Sequence, residues 1–438
     1  MLTIVIVAAF VAGYACIALE SVIKVNKAAI ALLMFVACWT LLMIAPGIYF
    51  PGSDNAVAAA LAAIEGSLGE TATTLFFLMG AMTIVEVVDQ NGGFNFVREL
   101  LGTTSKRKLL WRIALTTFLL SAILDNLTTS IVLIMVLRKL VPQRHDRLIY
   151  DAIIVIAANS GGAFSPIGDV TTIMLWNGGM ITAGKTILHL LLPSLSSLLL
   201  PALLLQLGLD GQLPLPQGDS VAADGHDLTS WERKTVFVLG VGGLMFVPVF
   251  RYLTDLPPFM GILLVLAMLW ITTELFYAHL KVGESASHRV SRLLSHIDMA
   301  TILFFLGILM AVSCLKHIGV LTALGKWLDS VSGGNHYLVT GIIGVISSIV
   351  DNVPLVAGCM GMYPMGAAGD MAVDGTFWQL LAYCAGVGGS MLIIGSAAGV
   401  VIMGLEGISF GWYLKRVTPL ALAGYLAGMV CYWLQNLL

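Results

Sequence analysis

Asp125-Asn126 and Asp351-Asn352 set a carboxylate beside an amide twice, 226 positions apart, each within a long apolar stretch. A carboxylate in hydrocarbon costs about 2.5 to 3.5 kcal/mol even on a lenient insertion scale, so its presence at two matched places points to binding. What a carboxylate and an amide oxygen can bind together is a bare cation, or a proton in its place. Asp169 is a third candidate, with Ser165, Thr171 and Thr172 nearby and Ser396 at the matching place further on. Asn159 and Ser160 are possible further oxygen ligands.

The structural alternative is that each Asp caps a helix, accepting hydrogen bonds from otherwise orphaned N–H groups. Pro354, placed where a first helical turn tolerates a missing N–H, supports a helix start after Asp351. Capping does not exclude ligation, and Ser or Thr could cap without a charge. Gly161, Gly162 and Gly168, with Pro166 between them, interrupt one span, and Gly386, Gly388, Gly389 and Gly395 interrupt another. Glycines also serve close helix packing. Two clusters, each following an Asp-Asn pair, favour unwound backbone whose carbonyls can replace an ion's water shell.

The elements that must position these groups lie in a chain of 438 residues, 58% hydrophobic and 11% charged, with mean hydropathy +0.94. That is too little polar surface to coat a soluble globule, and an all-α polytopic membrane protein is expected. Apolar stretches cover roughly 2–20, 28–48, 70–90, 109–141, 148–178, 185–207, 234–252, 258–280, 298–317, 336–366, 376–405 and 412–437. The first lacks a basic flank and reads as a retained helix. A polar stretch, 208–233, divides the chain near its middle as a cytoplasmic linker.

Phe76-Phe77-Leu78 matches Phe304-Phe305-Leu306, the two Asp-Asn segments match, and the two glycine-broken segments match, in the same order at a nearly constant offset. Repeats over 1–207 and 234–438 follow. Each comprises three spans, a re-entrant helical hairpin (109–141, 336–366), a broken helix (148–178, 376–405) and a last span. An odd number of crossings makes the repeats inverted. With both termini outside, only Lys185, Arg251, Lys316 and Lys326 of the 22 Lys and Arg residues fall outside, as the positive-inside bias requires. The Asp-Asn tips then approach the midplane from opposite sides.

Other chemistries fare poorly. No basic run suggests nucleic acid, and the six cysteines lie in apolar segments without a CxxC pair, against a disulfide framework or zinc site. The histidines sit largely near span ends or in the linker, against a metal cluster. Tyr150-Asp151 and Gly168-Asp169 match the paired motifs of intramembrane aspartyl proteases. On a single span, however, those carboxylates stand apart by nearly the thickness of the hydrocarbon core. Glu86 is a minor candidate for a proton pathway, and Glu20, Glu274, Asp298 and Glu406 read as interfacial.

The segments SAILDNLTTSIVLIMVLRKLVP (121–142), AANSGGAFSPIGDVTTIMLW (157–176), SSIVDNVPLVAGCMGMYP (347–364) and AYCAGVGGSMLIIGSAAGV (382–400) resemble the NhaD-type sodium/proton antiporters. These belong to the ion transporter superfamily, which also holds arsenite pumps and dicarboxylate and citrate carriers. The resemblance spans about residues 70–435. It implies a homodimer in which hairpins and broken helices move as a transport domain against a scaffold, elevator fashion. Carboxylate carriers of the superfamily typically have Ser-Asn-Thr at the hairpin tip, where this chain has Asp125-Asn126-Leu127 and Asp351-Asn352-Val353. The added charge favours a cation as cargo. The expectation is a secondary transporter, not an enzyme, in a bacterial inner membrane. It exchanges Na+, and Li+ as well, for H+ without a cofactor, at a site of Asp125, Asn126, Asp169, Asp351 and Asn352 with supporting oxygens. An anion or arsenite carrier on the same fold is the alternative.

Overall fold

The computed structural model describes residues 1–18, 23–93, 97, 100–141, 143–209, 211–213, 228–278, 294, 297–349 and 352–437. Asp351, most of the central polar stretch, and Glu20 lie outside the described residues. The described chain is helical, and six of its helices are long and apolar enough to cross a membrane. It is an integral membrane protein.

The helices of the first half are α1 (Leu2–Ala18), α2 (Lys27–Ile44), α3 (Ala56–Gln90), α4 (Lys106–Leu124), α5 (Asn126–Leu140), α6 (Arg144–Ala163), α7 (Val170–Asn177) and α8 (Ala183–Gln206). Those of the second are α9 (Ser230–Thr254), α10 (Pro258–Tyr277), α11 (Met299–His317), α12 (Val320–Ser332), α13 (His336–Ser347), α14 (Asn352–Met362), α15 (Thr376–Gly388), α16 (Ala397–Glu406), α17 (Phe410–Arg416) and α18 (Thr418–Gln435).

Capping residues explain many boundaries. Asn26, Asn55, Ser105, Asp298, Asn335 and Ser409 each accept a hydrogen bond from the first turn of the helix they precede, and Thr229 with Glu232 forms a capping box at α9. Two spans differ from the sequence expectation. With 35 residues, α3 begins at Ala56 rather than near residue 70, because Asn55 caps it. At about 1.5 Å per residue it outruns a hydrocarbon core about 30 Å thick. The last apolar stretch is two helices bent by 51°, with Pro419 in the first turn of the second.

The long helices pair across the two halves. α2 lies on α11 and α3 on α10, while α1 packs on α2 and α9 on α10. The helices around the breaks form a second group, in which α4 packs on α6, α13 on α15, α8 on α18 and α6 on α15. Within it α5 contacts α16 and α7 contacts α14. Where the two groups meet, α3 packs on α7 and α11 on α14, while α3 with α5 and α11 with α16 make no contact of like extent among the described residues.

Candidate cation site

Asp125 alone separates α4 from α5. Its backbone takes φ 78° and ψ 159°, outside the regions that suit a side chain, at a cost of roughly 1–3 kcal/mol. Offsetting this, its carboxylate accepts hydrogen bonds from the Thr128 amide at 2.8 Å and the Thr128 hydroxyl at 2.9 Å, so it does cap α5. It also borders a small, mainly apolar cavity against Phe77, Leu78 and Met82 of α3.

The next residue points elsewhere. Asn126 is buried, and its amide group donates to Asp169 Oδ2 at 2.6 Å and to Asn159 Oδ1 at 3.1 Å. Asp169, 1% exposed, caps α7, with Oδ1 accepting from the Thr171 amide at 2.9 Å and the Thr171 hydroxyl at 2.8 Å. From the other half Asn352, the first residue of α14, brings its amide group to 3.3 and 3.4 Å from the two Asp169 oxygens. Asn159 in turn donates at 2.9 Å to the hydroxyl of Ser396, which caps α16 by accepting from Gly399. Asp169, Asn126, Asn159, Asn352, Thr171 and Ser396 therefore form one buried cluster at the meeting of four helix ends. Asp125 and Asp169 lie near enough for their charges to interact.

Two residues expected among the ligands bond elsewhere. Ser160 bonds Ser197 of α8 at 2.8 Å, because it follows Asn159 by one helical step of 100°. Ser165 stays within the break, where its hydroxyl accepts from the Ile167 amide at 3.4 Å. The second carboxylate of the repeat, Asp351, lies outside the described residues. Thr128, which holds Asp125, was not singled out by the sequence. Its signal was there, a hydroxyl three residues past a capping Asp.

The glycines admit close approach. A Cβ on Gly161 would stand 2.2 Å from the Phe118 carbonyl oxygen of α4, and one on Gly388 the same 2.2 Å from the Gly344 carbonyl oxygen of α13. A Cβ on Gly168 would meet the Ser121 carbonyl at 2.7 Å, and one on Gly395 the Ser348 carbonyl at 2.5 Å. Gly161, Gly162 and Gly388 thus lie in the last turns of α6 and α15 as packing positions, while Gly168, Gly389 and Gly395 lie in the non-helical breaks at 164–169 and 389–396. Hydroxyls reinforce both contacts: Ser121 donates to the Ala158 carbonyl at 2.6 Å and Ser347 to the Ala385 carbonyl at 2.8 Å.

Asp151 and Asp169 form no protease-like dyad. Asp169 is engaged by the two asparagines, and Asp151 lies inside α6 with no hydrogen-bonding partner among the described residues. Glu86 accepts from Gln90 within α3 at 3.0 Å.

A family profile described as citrate transporter matches residues 14–380. Sodium/proton antiporter 2 of Arabidopsis thaliana is 42% identical over 423 residues, covering 96% of each chain. The chain belongs to the NhaD-type sodium/proton antiporters of the ion transporter superfamily. Sodium/proton antiporter 1 of the same plant is 44% identical over 425 residues, 96% of this chain and 70% of that one. The Na(+)/H(+) antiporter NhaD of Vibrio cholerae is 30% identical, covering 98% of this chain and 90% of that one. The NhaD-type family and these relatives are secondary transporters rather than enzymes.

Proposed function

We propose that this protein exchanges Na+, and Li+ as well, for H+ at the cluster around Asp169, with Asp125 and the hairpin partner Asp351 completing the site. The observation that carries the reading is a buried carboxylate approached by an asparagine from each half, Asn126 and Asn352. A carboxylamide has one donor and one acceptor face, and rotation by 180° exchanges them. The amide N–H groups of Asn126 and Asn352 face the Asp169 carboxylate. With Na+ bound, the same side chains turn their oxygens to the ion, joined by Ser396 and Thr171. With a proton on Asp169, an amide oxygen accepts it. A buried site of this kind tolerates one compensating positive charge, so ion and proton exclude one another.

Alternating access by two inverted repeats, with the α4–α8 and α13–α18 helices moving as an elevator against α1–α3 and α9–α11, is the proposed mode of movement. Matched contacts support it. Exchanging the halves turns α2 on α11 into α10 on α3, α4 on α6 into α13 on α15, and α5 on α16 into α14 on α7, and each partner contact exists. A homodimer, a cytoplasmic central stretch and outward-facing termini complete the proposal, with a bacterial inner membrane as one setting and plant relatives pointing to another.

Transport of citrate, as the family profile's description would suggest, conflicts with a carboxylate at the centre of the site, since it would repel an anion at close range. The test is collapse of an imposed pH gradient in proteoliposomes on adding Na+, Li+ or K+ in turn. Na+ and Li+ should discharge it, and Asp125→Asn should lower the rate at least about tenfold by removing one of two interacting charges. Labelled citrate or arsenite uptake with no Na+ response would overturn the assignment.

A further inference from the structure

Two helical turns into α6, Asp151 is fully buried, and neither of its carboxylate oxygens has a hydrogen-bonding partner among the described residues. Charged groups act on it from the N-terminal end of its helix. Arg144 and Arg147 lie on its own helix, Arg138 on α5 and Glu406 on α16, and all four act on it electrostatically. The three guanidinium groups are committed elsewhere. Arg138 bonds the Glu406 carboxylate and the Leu405 carbonyl. Arg144 donates to the carbonyls of Glu406 at 2.9 Å and Gly407 at 2.6 Å. Arg147 donates to Glu406 Oε2 at 2.9 Å and to the Val141 carbonyl at 2.9 Å. Together they fasten the end of α16 to α5 and α6. From α4, Lys106 is paired with Asp146 at 3.1 Å, and its carbonyl accepts from Tyr150. α15 carries no charged side chain, and Lys185 and His189 stand at the far end of α8.

Asp151 lies four residues beyond Arg147 and eight before Asn159 on one helix, so about 12 Å of helix separates it from the cation site. Burial without a hydrogen-bonding partner among the described residues disfavours an ionised carboxylate, and the excess of three arginines over one glutamate favours it. Such opposed pulls mark a group that exchanges its proton. The same positive field keeps metal cations away.

We propose that Asp151 is a second proton-binding site, between the arginine-rich end of α6 and the Asp169 cluster, and that loss of its proton draws Arg147 from Glu406 onto Asp151. In that step the Asp151 O–H bond breaks, the proton leaves to water at the arginine end, and Arg147 remains cationic while exchanging one carboxylate for the other. The clamp on α16, whose first residue follows Ser396 of the cation site, is thereby tied to the proton. The transport role of this site rests on the antiport reading; its protonation does not.

The test has two arms. In purified protein without any ion gradient, infrared difference spectra against pH should contain a carboxylic-acid band that disappears in Asp151→Asn but persists in Asp125→Asn. In proteoliposomes, Asp151→Asn should move the pH of half-maximal exchange by about one unit or more, with half-saturating Na+ within about twofold of the parent. An unchanged spectrum and pH profile in Asp151→Asn would overturn the proposal. Should that variant not fold, Asp151→Glu replaces it, and an unshifted band there overturns the proposal equally. A parent protein with no Na+-driven exchange but with the titrating band sinks the antiport reading and leaves the proton site standing.

Discussion

Replacing Asp169 by Asn should abolish Na+-driven proton movement, lowering the exchange rate by at least about a hundredfold while leaving the folded protein intact. The side chain keeps its size and its oxygen, so Thr171 can still be accepted and α7 remains capped. What disappears is the charge on which Asn126 and Asn352 converge. A neutral amide holds Na+ weakly and cannot carry a proton, so both branches of the exchange fail together. Gel-filtration profile and thermal unfolding should stay close to the parent's. Normal exchange in this variant would remove Asp169 from the centre of the site and return that place to Asp125.

Gly161→Ala and Gly388→Ala should each cause loss of folded protein, by a different mechanism. The added methyl group would lie 2.2 Å from a backbone carbonyl oxygen in both cases, and a helix cannot yield there as a flexible side chain could. Overpacking of this kind costs about 1–3 kcal/mol or more, and α6 must part from α4, or α15 from α13. Both partings loosen the helix ends that carry Asn126 and Asn352. Gly66→Ala is the control, because nothing lies within 4 Å of its Cβ position in α3. Thermal unfolding in detergent should place both packing variants well below the control. Parent-like unfolding of Gly161→Ala would show that the α4–α6 approach is not needed.

Much of the site was legible because burying charge in an apolar chain is costly enough to be informative. Asp125, Asn126, Asp169, Asn159, Asn352 and Ser396 stand out for that reason and because the segments repeat. Their ranking was not legible. Repetition favours the duplicated Asp125 and Asp351, whereas the structure makes Asp169, which has no acidic counterpart in the other half, the hub and turns Asp125 onto its neighbour Thr128. A one-residue turn at φ 78° aims two adjacent side chains apart, and nothing in a linear pattern records that aim. Ser160 was lost by one helical step, toward Ser197. Glu406 read as interfacial, since its partners Arg138, Arg144 and Arg147 lie about 260 residues away along the chain. In the fold, spans and breaks were readable from hydropathy and glycine clusters. The early start of α3 and the bend before α18 depend on single residues at helix ends.

The two helix groups meet unequally. α11 packs on α14, while α3 has no contact of like extent with α5 among the described residues, although the two pairs occupy corresponding places in the chain. On the repeat reading, a second conformer with those affinities interchanged is built from the same kinds of residue and has a comparable energy. The energy gap between conformers is then set by the places where the halves differ in sequence, and Asp169 against Ser396 is one of them within the matched segments. If Na+ neutralises Asp169 as proposed, it acts on that difference, and occupancy alone then tips a nearly degenerate pair of shapes.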